Sequence, residues 1–116
     1  MRQVMVRYRV KPAHVAENEE LVRAVYDELH RTQPGGLRYA TFRLDDGVSF
    51  VHIAFEHDDD DGRRPLTALP AFQRFQENIA ERCDDSPAVS ELHQIGSYRL
   101  GVDSGANGAA AQGGTR

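Results

Sequence analysis

Tryptophan is absent, and cysteine occurs once, at Cys83. One thiol allows no internal disulfide, which fits a reducing compartment. No apolar run approaches the ~20 residues that span a bilayer, and no signal-peptide apolar stretch follows Met1-Arg2-Gln3. Basic charge is also scarce: 14 Lys and Arg stand against 18 Asp and Glu, a net charge of −4. A nucleic-acid partner would call for a basic face. These absences predict a cytoplasmic protein with neither nucleic acid nor membrane as partner. A zinc site needs about three or four converging ligands. His52 and His57 point to opposite faces of a strand, and Cys83 has no second cysteine, so no metal is expected. Phosphate loops, nucleophile elbows and CxxC pairs are missing too, and Gly35-Gly36 reads as a turn.

What is present suits one small domain: 116 residues, 40% hydrophobic and 28% charged. Leu37–His57 organises it as two alternating strands around Asp45-Asp46-Gly47, a strong hairpin signal. On the first strand Ala40, Phe42 and Leu44 point one way and Tyr39, Thr41 and Arg43 the other. On the second, Val51, Ile53 and Phe55 oppose Phe50, His52 and Glu56. The first set of each is expected to meet the helices.

Before the hairpin, Val4, Val6, Tyr8 and Val10 form the apolar face of a strand that Lys11-Pro12 ends. A helix is predicted from His14 to about Thr32, with Leu21, Val22, Val25, Tyr26 and Leu29 on one stripe. After it, Asp58 to Asp61 and Arg63-Arg64 read as a solvated loop. Pro70 opens a second helix with Phe72, Phe75, Gln76, Ile79 and Cys83 inward, and Asp84-Asp85-Ser86-Pro87 stops it. A last strand is expected from Ala88 to about Leu100; neither of its sides is strongly apolar, which suggests an edge strand or one that crosses to a partner subunit. The domain then covers 1–100. The Gly- and Ala-rich tail 101–116 is expected to be disordered, because it has no large apolar residue after Val102.

The order β-α-β-β-α-β predicts a ferredoxin-like α+β fold: a four-stranded antiparallel sheet with two helices on one face. The other face would mix apolar and charged groups, and such a patch marks an interface. A homodimer packed sheet against sheet is therefore expected, with Arg7, Tyr39, Arg43, Phe50, His52 and His93 at the contact.

The order of elements, the chain length and the segment Leu69-Pro70-Ala71-Phe72-Gln73-Arg74-Phe75 resemble the antibiotic biosynthesis monooxygenase (ABM) family of dimeric α+β barrels. The resemblance runs over roughly residues 3–100. It implies oxidation of quinols, anthrones or related aromatics by dioxygen, with no organic cofactor. Active members commonly use a tryptophan, which this chain lacks, and Ala71 stands where a helix-start histidine is usual.

In such a fold the ligand site is a cavity between helices and sheet. Tyr8, Phe42, Phe55, Phe72 and Phe75 are its candidate substrate-binding residues, the alternative being that they fill the core. Tyr26 and His30, one helical turn apart, are the candidate catalytic pair: an imidazole near neutrality is a base, and a phenol can share its proton. Asn18 and Asn78 read as surface. Two functions stay open: a cofactor-independent monooxygenase for a small aromatic or quinol-like substrate, and a non-catalytic dimeric binding or stress-associated module. The missing tryptophan favours the second.

Overall fold

The computed structural model describes residues 1–57 and 64–100. The acidic run Asp58 to Asp61, Arg63 and the tail 101–116 lie outside the described residues.

β1 (Arg2–Val10) buries Val4, Tyr8 and Val10 and exposes Arg7 and Arg9, as its alternation demands. A 3-10 turn at Pro12–His14 leads into α1 (Val15–Thr32). Glu17 in the first turn and His30 and Arg31 in the last complement the helix dipole. Gln33, left-handed at φ 46°, closes the helix, and its N–H donates to the Leu29 carbonyl at 2.8 Å. β2 (Leu37–Arg43) and β3 (Ser49–Glu56) form the hairpin. Its turn uses Gly47 at φ +78°, a conformation a side chain would strain. The Asp46 carboxylate accepts from the Ser49 hydroxyl at 2.6 Å and from the N–H groups of Val48 and Ser49, which lowers its pKa to about 2.

The sheet order is β2-β3-β1-β4, where β4 is Cys83–Glu91, and every pair is antiparallel. This is the ferredoxin-like arrangement. The core lies on one side of the sheet, where Tyr8, Val10 and Phe50 meet Val25 of α1 and Phe72 and Phe75 of α2 (Pro70–Gln76).

The hairpin presents the opposite faces from those its alternation led us to expect. Val4, Val6 and Tyr8 pair with Ala54, His52 and Phe50, and directly opposed residues share a face. Phe50, His52, Ala54 and Glu56 are therefore buried under the helices, and Tyr39 and Thr41 lie on the same side. Phe42, Val51, Ile53 and Phe55 lie on the open face, with Phe42 54% exposed. Both hairpin faces carry apolar residues, so alternation fixes the phase and not the direction. The strongly apolar face of β1 decides it through register.

The C-terminal third also differs. α2 ends at Gln76, because Asn78 adopts the left-handed region at φ 59°. A short α3 (Ile79–Arg82) follows, and β4 begins at once at Cys83. Asp84-Asp85-Ser86-Pro87 is thus strand. Two register shifts against β1 absorb extra residues there, and an irregular edge strand is where a proline is tolerated. Residues 92–100, expected to extend the strand, carry no regular structure.

Candidate functional site

Burying His52 creates a demand that its neighbours meet. The imidazole is 5% exposed. Its Nε2 lies 2.8 Å from the Tyr8 hydroxyl, and its Nδ1 lies 2.5 Å from the Tyr39 hydroxyl and 3.1 Å from Thr41 Oγ1. Tyr26 of α1 reaches Thr41 at 2.8 Å and stacks on Tyr39 with ring centroids 5.3 Å apart. On the other side, Asn18 Nδ2 donates to the Tyr8 oxygen at 3.0 Å.

Arg82 fixes the direction of that last bond. A guanidinium only donates. Its Nε and Nη2 both reach Asn18 Oδ1 at 3.3 Å, so the amide nitrogen must face Tyr8. Arg82 is 4% exposed and also donates to the Phe75 carbonyl at 2.7 Å and the Glu77 carbonyl at 2.9 Å. Those are the open carbonyls where α2 ends. The break at Asn78 turns the chain back and lets Arg82 cap the helix it has just left. One line of hydrogen bonds thus runs from Arg82 through Asn18, Tyr8 and His52 to Thr41 and Tyr26.

Burial pushes the phenols of Tyr8, Tyr39 and Tyr26 up, so each stays protonated across the neutral range. The same desolvation lowers His52 to about 4 and keeps its ring neutral. A neutral imidazole donates from one nitrogen and accepts at the other. Tyr8 can donate to Nε2 while Nδ1–H donates to Tyr39 or Thr41. Alternatively, Tyr39 or Thr41 donates to Nδ1 while Nε2–H donates to the Tyr8 oxygen. The two differ in which ring nitrogen carries the proton, and the hydroxyl hydrogens turn to match.

This burial links stability to acid. The unfolded histidine titrates near 6.5 and the folded one near 4, so between these values the unfolded state binds more protons. Stability is fully present above pH 6.5 and is lost as pH falls toward 4. At about 1.4 kcal/mol per pH unit, the loss from His52 is about 3 kcal/mol. Urea denaturation at pH 7 and pH 4.5 should show most of it in the wild type and far less in His52→Phe. A parallel fall in both proteins would place the acid sensitivity elsewhere.

Tyr8, Tyr39 and His52 form the polar wall of a cavity of about 370 Å³ between the sheet and the segment 64–79. Val4, Val6, Ala54, Leu66, Phe72 and Phe75 make it mostly apolar. Arg2, Glu56 and Arg64 supply charge. Its size and its few polar groups suit a small organic molecule.

A family model for antibiotic biosynthesis monooxygenases matches residues 1–78. The chain belongs to that family. Solved structures agree in fold. One antibiotic biosynthesis monooxygenase is 22% identical with a TM-score of 0.62, covering 83% of this chain and 100% of its own. Rv0793 from Mycobacterium tuberculosis is 18% identical with a TM-score of 0.64, covering 82% and 95%. SnoaB, a cofactor-independent oxygenase from Streptomyces nogalater, is 23% identical with a TM-score of 0.58, covering 82% and 93%. None of the curated proteins matches in sequence.

In this ABM domain Tyr8, Phe72 and Phe75 line the cavity, while Phe42 and Phe55 lie on the opposite face of the sheet. Tyr26 joins the hydrogen-bonded line through Thr41, but His30, at the exposed end of α1, does not reach it. Of the residues placed at a sheet-to-sheet contact, Tyr39, Phe50 and His52 lie on the helix side, and Arg43 pairs there with Glu19 of α1 at 2.7 Å. Arg7 is on the open face, and His93 lies beyond β4. Asn18 is fully buried rather than on the surface.

Asn18 and Arg82 had no sequence signal of their own. His52 had one: it alternates with Phe50 and Ala54, so a buried Phe50 implies a buried His52. Among the described residues no cluster of three or more His, Cys, Asp or Glu could hold a metal ion. No described helix is long and apolar enough to cross a membrane.

Proposed function

We propose that this ABM domain is an oxygenase for a small aromatic substrate with an acidic C–H or O–H, working without metal or flavin. The observation that carries this reading is the neutral His52 ring, held between two phenols at the wall of an apolar cavity. The Tyr8 oxygen accepts from Asn18 and retains a second lone pair for a ligand. A substrate proton passes to that oxygen as the Tyr8 proton passes to His52 Nε2, and the imidazolium formed donates to Tyr39 or Thr41. The electron-rich carbanion or phenolate then reduces dioxygen. For a ring CH2 the balance is R2CH2 + O2 → R2C=O + H2O, with the hydroperoxide losing water. In this assignment His52, and not His30, is the base, and Tyr26 supports it through Thr41.

The test is oxygen uptake with anthrone, measured above its spontaneous oxidation. Uptake of one O2 per anthrone, with one labelled oxygen entering the ketone from 18O2, is the expected result. No enzyme-dependent uptake with anthrone, dithranol or naphthohydroquinone would remove the oxygenase reading. The second reading, a binding module, is favoured by the absence of tryptophan. It requires that aromatics bind without any uptake.

We further propose that the open face of the sheet joins two copies. Phe42, Val51, Ile53 and Phe55 form its apolar centre, with Arg7 and Arg9 exposed beside them. Adding a further cation there in Phe42→Lys should weaken the dimer at least about tenfold, as loss of a central aromatic anchor does. Sedimentation of wild type and variant across concentration measures this, and a monomeric wild type would end the proposal.

A further inference from the structure

Among the described residues Glu56 is the one acid in the cavity wall, and it is poorly satisfied. Its side chain is 3% exposed. Its partners among the described residues are distant: Arg2 Nη1 at 3.6 Å and the Leu66 N–H at 3.4 Å. A carboxylate has about four lone-pair sites and prefers donors at 2.7–2.9 Å. It therefore retains accepting capacity toward the space it lines, where Tyr8 and His52 are the other polar station.

The two stations stand at opposite ends of one strand face. His52, Ala54 and Glu56 alternate on the same side of β3 and all line the cavity. At ~3.3 Å per residue, His52 and Glu56 are about 13 Å apart along the strand. Two hydrogen bonds of ~2.7 Å leave roughly 8 Å between the ligand's polar atoms. That is the length of two fused aromatic rings with a hydroxyl at each end.

We infer that Glu56 is a specificity-determining residue that selects extended aromatics carrying a hydroxyl at both ends. The inference rests on the cavity being the ligand site. One hydroxyl sits at Tyr8 and His52, and the other donates to Glu56. The apolar walls hold the rings between them. A ligand with one hydroxyl, or with two at the same end, leaves Glu56 without a near donor.

Calorimetry with three probes on the full chain tests this: 2,6-dihydroxynaphthalene, 2,3-dihydroxynaphthalene and 2-naphthol. The wild type should bind the 2,6-isomer at least about tenfold more tightly than the other two, the difference a charge-assisted hydrogen bond makes. In Glu56→Ala that preference should vanish, while the affinity for 2-naphthol stays within about threefold and reports an intact cavity. If the alanine variant does not fold, Glu56→Gln carries the test, and the preference should fall at least about threefold with the loss of charge. A residue that merely fastens Leu66 to the sheet would move all three affinities together, and that outcome overturns the inference. Equal binding of the three probes by the wild type overturns it as well and leaves the cavity reading standing. Failure of the wild type to bind any of them overturns both.

Discussion

Arg82→Met should cost the fold about 3 kcal/mol, a large share of the 5–15 kcal/mol that holds a typical domain together. The substitution strands the Asn18 side-chain oxygen, which is completely buried, and the carbonyls of Phe75 and Glu77. Each orphaned buried acceptor costs about 1–3 kcal/mol. Relief from holding a guanidinium out of water offsets part of the sum. The contact of the guanidinium with the Phe75 ring, 5.5 Å to its centroid, is lost as well. Arg82→Lys should recover only part, because one ammonium cannot reach Asn18 and both carbonyls together. Urea denaturation at pH 7 measures all three proteins. A methionine variant within 1 kcal/mol of wild type would show that water replaces the arginine at no cost, and the capping account of α2 would fall.

His52→Phe should lower kcat/KM for the oxygenation by about 10²–10⁴-fold, the usual size of a lost general base. Phenylalanine keeps the ring packing: Tyr8 and Phe75 have centroids 5.3 Å from the imidazole. It removes both nitrogens, so the proton that leaves Tyr8 has no acceptor. The pH profile adds a readout that packing alone would not move. If His52 is the base proposed above, it is unprotonated above about 4, so wild-type kcat/KM should rise through that pH and stay level across neutrality. The residual rate of the variant should lack that rise. Unchanged affinity for naphthalene, which has no hydroxyl to place at His52, would show that the cavity survives the substitution. Full activity in His52→Phe would end the role assigned to the imidazole.

The fold class was legible in the sequence because the first strand, the first helix and the hairpin turn each carried a local signal. Val4, Val6, Tyr8 and Val10 read as a one-faced strand, the stripe through Val25 as a helix, and Gly47 as the turn. The site was not legible, because its parts meet only through tertiary pairing. Nothing local says that Asn18 is buried; a polar residue early in a charged helix reads as surface until Arg82 and Tyr8 are brought to it. The direction of the hairpin depends on its register with β1, which the turn does not determine. Ala88 looked like the start of the last strand because Pro87 reads as a break, and only its edge position with shifted register lets the strand begin at Cys83.

The wiring of the site also sets when it can exist. Tyr8 and His52 are 44 residues apart, and Asn18 and Arg82 are 64 apart. Closing such long loops waits for most of the chain. On a ribosome, the first strand and helix emerge long before the arginine that orients them. A nascent chain therefore holds its phenols and imidazole without the amide direction that joins them, and the family match itself ends at residue 78, short of Arg82. The line can be complete only after α3 has emerged, because Arg82 is the member that orients Asn18.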